Sequence, residues 1–176
     1  MLDPEYITGL ADGEGTFTYS YTKQTNSIGL YFGIALNIKD LPLLQQVQEY
    51  FGCGKLYFAK AVHGKFSDPT YVSGPRVYFR ITRRADLFKV IRHFEGHPLH
   101  GQKVKAYEIW VEMVFYKGRM YRHDMPKMMA LAAKLSEANG RTGQRGPRIK
   151  KDEQFPKKPI PSFQYDENSR YFDSMA

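Results

Sequence analysis

The chain has 176 residues, 26 Lys and Arg against 18 Asp and Glu, and a formal net charge of +8. That length suits one domain with room for a tail, and 42% hydrophobic with 15% aromatic residues exclude a wholly disordered chain. The lone Cys53 excludes an internal disulfide framework and a cysteine-built metal site, and no apolar run approaches the roughly 18 residues of a membrane span.

Asp3-Pro4 opens a helix, a capping acid followed by a proline suited to the first turn, and Gly13-Glu14-Gly15 must end it. Strict alternation follows, with Phe17, Tyr19 and Tyr21 on one face of a strand and Thr16, Thr18, Ser20 and Thr22 on the other. Asn26-Ser27 marks a turn, and Leu30, Phe32, Ile34, Leu36 and Ile38 complete a hairpin. Asp40 is expected to cap a helix carrying Leu43, Leu44, Val47, Tyr50 and Phe51 at helical spacing, closed by Gly52. The pattern then recurs. A third strand runs from Lys55 to His63, a loop crosses Gly64 to Gly74, and Val77, Phe79 and Ile81 form the returning strand. Apolar-striped helices follow over 86–94, 103–116 and 125–139, the last stopped by Gly140. The expected class is α+β, with four antiparallel strands backed by helices on one face and the other face open.

The open face would carry Thr16, Thr18, Ser20 and Thr22 from the first strand, and Arg76, Tyr78, Arg80 and Thr82 from the fourth, with Lys55, Tyr57 and His63 nearby. Such residues suit either an ordinary wet sheet surface or one that reads base edges in a DNA groove. The basic excess of the chain favours a nucleic-acid partner in general, although charge argues association and not fold.

Ile7-Thr8-Gly9-Leu10-Ala11-Asp12-Gly13-Glu14-Gly15 is the one unusual segment. A helical glycine costs about 1 kcal/mol relative to alanine, so Gly9 and Gly13 need a reason. Their spacing of four puts them on one helical face, where a second backbone can approach, and the chain contains no second such helix. The partner would be the same helix of a second subunit about a two-fold axis. Asp12 and Glu14 sit at the helix end whose dipole disfavours negative charge, and a symmetric copy would double the carboxylates there. A divalent cation would relieve that concentration, and metal beside a basic surface is the chemistry of phosphodiester cleavage. An acidic capping turn is the plainer alternative.

These residues resemble the single-motif LAGLIDADG homing endonucleases, with Ile7, Gly9, Leu10, Asp12, Glu14 and Gly15 in the motif's places. The surroundings are similar too: an aromatic hairpin, then Asp40-Leu41-Pro42-Leu43-Leu44 opening a helix, and later Pro98-Leu99-His100-Gly101-Gln102-Lys103. The resemblance covers roughly residues 4 to 140 and implies an αββαββα core with a four-stranded saddle sheet and extra C-terminal helices. It implies a homodimer that cuts both strands of a long, pseudo-palindromic DNA site with Mg²⁺ or Mn²⁺, as in intron homing. A non-cleaving intron maturase or other nucleic-acid-binding protein on the same fold is the alternative. By position, Glu14 matches the metal-binding acid, with the Gly13 carbonyl a further ligand, and Lys103 the basic residue at the scissile phosphate. Asn37 matches the polar active-site residue, with Lys39 the other choice because the register there is ambiguous. Gly9, Asp12 and Gly13 match dimer-interface positions, and the open-face residues match those that contact bases. Thr8 and Ala11 depart from the usual motif in a way expected to alter interface packing, and Glu14 stands where aspartate is commoner.

Residues 1–140 form the expected endonuclease domain, and 141–176 a separate extension. In that extension, 141–161 carry seven basic residues, two acidic and four prolines, which reads as a solvated linker or a phosphate-contacting arm. His93, His97 and His100 read as a solvated turn in preference to a zinc site, since Gly96 and Pro98 break the helical phase between them. Met1-Leu2-Asp3-Pro4-Glu5 lacks the basic-then-apolar start of a secretion signal, so an intracellular, reducing compartment is expected, with no membrane partner.

Overall fold

The computed structural model describes residues 2–65, 68–119 and 124–140. The expected arm over 141–176 lies outside the described residues. Helix α1 spans Pro4–Glu14, and Asp3 caps it by accepting from the backbone N–H of Glu5 at 2.8 Å and of Tyr6 at 3.3 Å. Strands β1 (Gly15–Thr22) and β2 (Ser27–Asn37) form the first hairpin, and a short 3₁₀ turn over Ile38–Asp40 leads to α2 (Leu41–Phe51). The second strand therefore ends one residue before Ile38. The Asn37 side chain ends it by accepting from the Lys39 N–H at 3.0 Å, which turns the chain. Asp40 precedes α2 but makes no side-chain capping bond, whereas Gly52 closes that helix with a left-handed φ of 58°.

The largest departure from expectation follows. Strand β3 (Lys55–Ala59) is shorter than the run to His63, and the stretch read as a loop contains a two-stranded ribbon, β4 (Val62–Lys65) with β5 (Asp68–Ser73). The physical reason is the pairing register: β3 runs out of partner where Ala59 meets Arg76, the first residue of β6 (Arg76–Ile81). Pro75 stands just before β6 and has no N–H to extend the ladder. The chain between them pairs with itself. The His63 side chain, expected near the open face, lies outside what is described. Helices α3 (Arg84–Gly96), α4 (Val104–Gly118) and α5 (Met125–Ala138) complete the domain.

The main sheet is antiparallel with strand order β1-β2-β6-β3, the four-stranded α+β arrangement expected. One face is covered by helices. Phe17, Ile28, Leu30, Phe32, Ile34, Val77, Phe79 and Ile81 all turn into it and are at most 3% exposed. Phe17 is the hub, with its ring centroid 5.1–5.5 Å from those of Phe32, Phe94, Tyr107 and Trp110. The helical spacing of Trp110, Met113, Met128 and Met129 suits a core stripe; the first three are buried, and Met129 is half-buried against the core. The last helices are tied to the first hairpin: the Asn139 side chain donates to the Phe17 carbonyl at 2.9 Å and the Lys117 ammonium donates to the Ile28 carbonyl. No helix among the described residues is long and apolar enough to cross a membrane.

Candidate functional site

Helix α1 has two unlike faces. Ile7, Thr8 and Ala11 point inward and are buried. Gly9 and Gly13 are exposed, and a Cβ built on either would meet nothing within 4 Å. The Thr8 and Ala11 departures thus fall on the core side of the helix, away from the glycine face. Gly15 passes the chain from helix to strand with no intervening loop. A Cβ there would lie 2.5 Å from the Ala11 carbonyl oxygen, so only glycine permits the direct junction.

The two acids of the segment are used differently. Asp12 accepts from the backbone N–H groups of His100 at 2.9 Å and Gly101 at 3.1 Å. Its carboxylate therefore secures the turn ahead of α4 against the end of α1, a role within the chain itself. Glu14 is the last residue of α1 and is exposed. The turn held by Asp12 delivers Lys103, whose Nζ donates to the Gly13 carbonyl at 2.7 Å and the Ala11 carbonyl at 3.2 Å. The Gly13 carbonyl is one of the last of the helix, and the Ala11 carbonyl also accepts from the Gly15 N–H; both stand at the negative end of the dipole, where a cation is favoured. Burial lowers the Lys103 pKa from its ordinary value, while Glu14 and Asp12 push it back up.

The donors at this helix end are oxygens: the Glu14 carboxylate and the Gly13 carbonyl. Hard oxygen donors suit Mg²⁺ or Mn²⁺, and the ammonium resting on the Gly13 carbonyl marks a position that attracts positive charge. Among the described residues no group of three or more His, Cys, Asp or Glu could hold a metal ion. Asn37, at the end of β2, lies toward the same end of the sheet, since Gly15 pairs with Ile34 three residues before it. Its side-chain oxygen accepts from Lys39, and both residues are exposed.

The open face of the sheet carries most of the expected set. The cross-strand register aligns Thr16, Gly33, Arg80 and Lys55 in one row, Ala35, Tyr78 and Tyr57 in the next, and Asn37, Arg76 and Ala59 beyond them. Ser20, Thr22, Tyr57 and Arg76 are exposed, and Thr82 is exposed just past the end of β6. Thr18 is the exception: it is 1% exposed and offers no surface to a ligand. Its short side chain stands directly across from Tyr31 on the same face, and alternation alone reports the face but not its height. The outward residues of β2, above all Tyr31, belong to the same face, and their sequence signal is their place as odd-numbered neighbours of the inward Leu30, Phe32 and Ile34.

Of the three histidines, His100 is exposed in the turn before α4, His97 is half-buried at the end of α3, and His93 is buried within α3. His93 is 7% exposed, its Nε2 lies 3.2 Å from the Thr8 hydroxyl, and its Nδ1 lies 2.9 Å from the Tyr50 hydroxyl. The Thr8 hydroxyl donates to the His97 carbonyl at 3.1 Å, which leaves it to accept from His93 Nε2 while Tyr50 donates to Nδ1. Burial, aided by neighbouring His97 and opposed by Glu5, holds the His93 pKa down at about 4. His97 pairs with Glu5 at 2.7 Å. Cys53 is half-buried, with burial first among the causes that raise its thiol pKa, which fits a structural residue.

An αββ pair of units on one saddle sheet, with a glycine-faced acidic helix feeding directly into the sheet, defines the class of LAGLIDADG nucleases. Residues 7–114 match the sequence family described as LAGLIDADG endonuclease, and the chain belongs to it. It is 34% identical over 56 residues to a probable intron-encoded DNA endonuclease 1 of Mycosarcoma maydis, 32% of this chain and 21% of that protein. It is 29% identical over 120 residues to an uncharacterized protein in ND4 intron 1 of Podospora anserina, 64% of this chain and 24% of that one. The chain spans about a quarter or less of these curated relatives. Its fold matches the LAGLIDADG meganuclease I-AabMI bound to uncleaved DNA, with a TM-score of 0.63 and 27% identity, covering 77% of this chain and 45% of that one. The homing endonuclease I-TnaI matches with a TM-score of 0.60 and 24% identity over 80% of this chain and 97% of its own.

Proposed function

We propose that the chain is a homodimeric endonuclease that uses Mg²⁺ or Mn²⁺ to break both strands of a long, pseudo-palindromic DNA site. The observation that carries this reading is the outward face of α1, where Gly9 and Gly13 stand open for 4 Å and the helix ends on the exposed Glu14. Two such faces packed about a two-fold axis bring both Glu14 carboxylates and both Gly13 carbonyls to one place. The carboxylates' mutual repulsion then favours a bound divalent cation. The fold match to a LAGLIDADG meganuclease bound to uncleaved DNA supports the DNA-binding part of this reading.

In this arrangement Glu14 and Gly13 hold the cation, which when bound supplies charge neutralisation at the phosphodiester and activation of water. Lys103 keeps a positive charge at the same helix end for the developing charge on phosphate. Asn37, with Lys39 beside it, supplies polar groups at the mouth of the site. The open sheet face lies in the major groove of one half-site. A lone, half-buried Cys53 supports work in a reducing compartment.

The test uses a duplex made by joining the sequences that flank the coding region, as if an enclosing intron had been removed. Wild type should bind and cut it with Mg²⁺, and Glu14→Gln should still bind while cutting falls by more than about 100-fold. Gly9→Leu should leave the thermal midpoint near that of wild type and lower the mass of the DNA complex to that of one protomer. Binding by wild type without any cutting would favour the maturase-like alternative.

A further inference from the structure

On the open face of the sheet one guanidinium is held by three rings. Arg80 Cζ lies 5.2 Å from the ring centroid of Tyr31, 5.3 Å from that of Tyr78 and 5.6 Å from that of Tyr57. The rings come from three adjacent strands, β2, β6 and β3, so the sheet register itself builds the cage. Each ring face attracts the cation, and the planar guanidinium can lie along it while its edge N–H groups stay free. Directly across from Arg80 stands Gly33, where a Cβ would come within 3.4 Å of Arg80 Cγ and 3.1 Å of the Phe79 carbonyl. The missing side chain makes the floor on which the aliphatic stem rests. Gly33 and Ala35 below, with Thr16, Tyr31, Tyr78 and Arg80 around them, enclose a depression of about 150 Å³.

The ring contacts favour one placement of the guanidinium. A solvated arginine on a wet strand ordinarily keeps its rotamer freedom, whereas this one has surrendered much of it before any partner arrives. The fixed fork of donors matches a pair of acceptors in one plane. In the major groove guanine alone presents two acceptors, O6 and N7, together on one edge, and arginine is its commonest reader. A phosphate also accepts an arginine, but phosphate contacts fix register without reading the base, and Arg80 stands on an interior strand of the open face.

We infer that Arg80 is a specificity-determining residue that reads a guanine in each half-site, with Tyr31, Tyr57 and Tyr78 as positioning residues that hold its guanidinium. The inference rests on the proposed DNA-binding reading of the open face. It goes beyond that reading in naming the base, the reader and the residues that orient the reader.

The experiment is selection of duplexes from a random-sequence double-stranded library by the full chain in Ca²⁺, with the recovered pools sequenced. Wild type should recover a consensus with guanine at one position of each half-site. Arg80→Ala should make that position degenerate and weaken binding to the wild-type consensus by about 5- to 150-fold, leaving the other positions intact. Arg80→Gln should move the preference there from guanine to adenine, because glutamine pairs with adenine's acceptor and donor. Tyr57→Ala should relax the guanine preference selectively, and Tyr57→Phe, which keeps the ring, should restore it. Thermal melts of each variant separate misfolding from lost readout. A uniform loss of affinity in Arg80→Ala, with a salt dependence shallower by about one phosphate contact, would overturn the assignment while keeping the DNA reading. A wild-type pool with no consensus would overturn both.

Discussion

The two faces of the four-stranded sheet are built from one alternating sequence and behave as two different materials. On the covered face the side chains are large, apolar and ring-packed, with Phe32 within about 6 Å, centroid to centroid, of Phe17, Phe51 and Phe94. On the other face a floor of Gly33 and Ala35 separates taller polar and aromatic groups, and the grouping is set by a caged cation. The difference teaches that substitutions one residue apart should move different observables: stability on one side, recognition on the other.

The strongest attempt to confirm that division is Phe32→Ala. It empties a fully buried site and should cost about 3–5 kcal/mol of unfolding free energy in urea denaturation. A loss well under 1 kcal/mol would mean the covered face is not the core. The next effect comes from the polar patch within that covered layer. His93 has a folded-state pKa near 4, below the roughly 6.5 of the unfolded chain, so between those values only the unfolded state takes a proton. Its contribution is fully present above pH 6.5 and is lost as pH falls toward 4. Stability should drop by about 3 kcal/mol over that window, and His93→Gln should flatten the profile relative to wild type in pH-dependent melts. The smallest effect sharpens the contrast. Arg76→Ala, on the open face, should change stability by no more than about 0.5 kcal/mol while weakening DNA binding measurably. A melting loss comparable to that of Phe32→Ala would dissolve the distinction between the faces.

Alternation made much of this legible in advance. The inward set of β1 and β2 and the outward Arg76, Tyr78 and Arg80 follow directly from period two, because the pleat gives successive residues to opposite faces. The open glycine face of α1 was equally readable, since a cost without local benefit points to something outside the chain. What alternation cannot encode is where pairing stops. Residues Leu56, Phe58 and Val62 share a phase, yet Val62 pairs with Ser73 in a separate ribbon because β6 begins only at Arg76. Nor does it encode long-range polar partners. Thr8 finds His93 across 85 residues, and Asp12 finds His100 across 88, contacts fixed by how the helices pack and not by any local pattern. Thr18 failed for a third reason, since a residue can face outward and still be covered by its neighbours.

The loop-free passage from α1 into β1 has a consequence of its own. Glu14 and Thr16 are two residues apart on a rigid path, roughly 7 Å at the rise of an extended chain, with Gly15 leaving no slack between them. In the proposed reading the point of cutting and the first base-facing residue are thus two marks on one ruler. The distance between the bases recognised and the bond broken becomes a property of the covalent chain. One extra residue at Gly15 would not merely lengthen that ruler. It would turn β1 over, presenting Phe17 to the groove and Thr16 to the core.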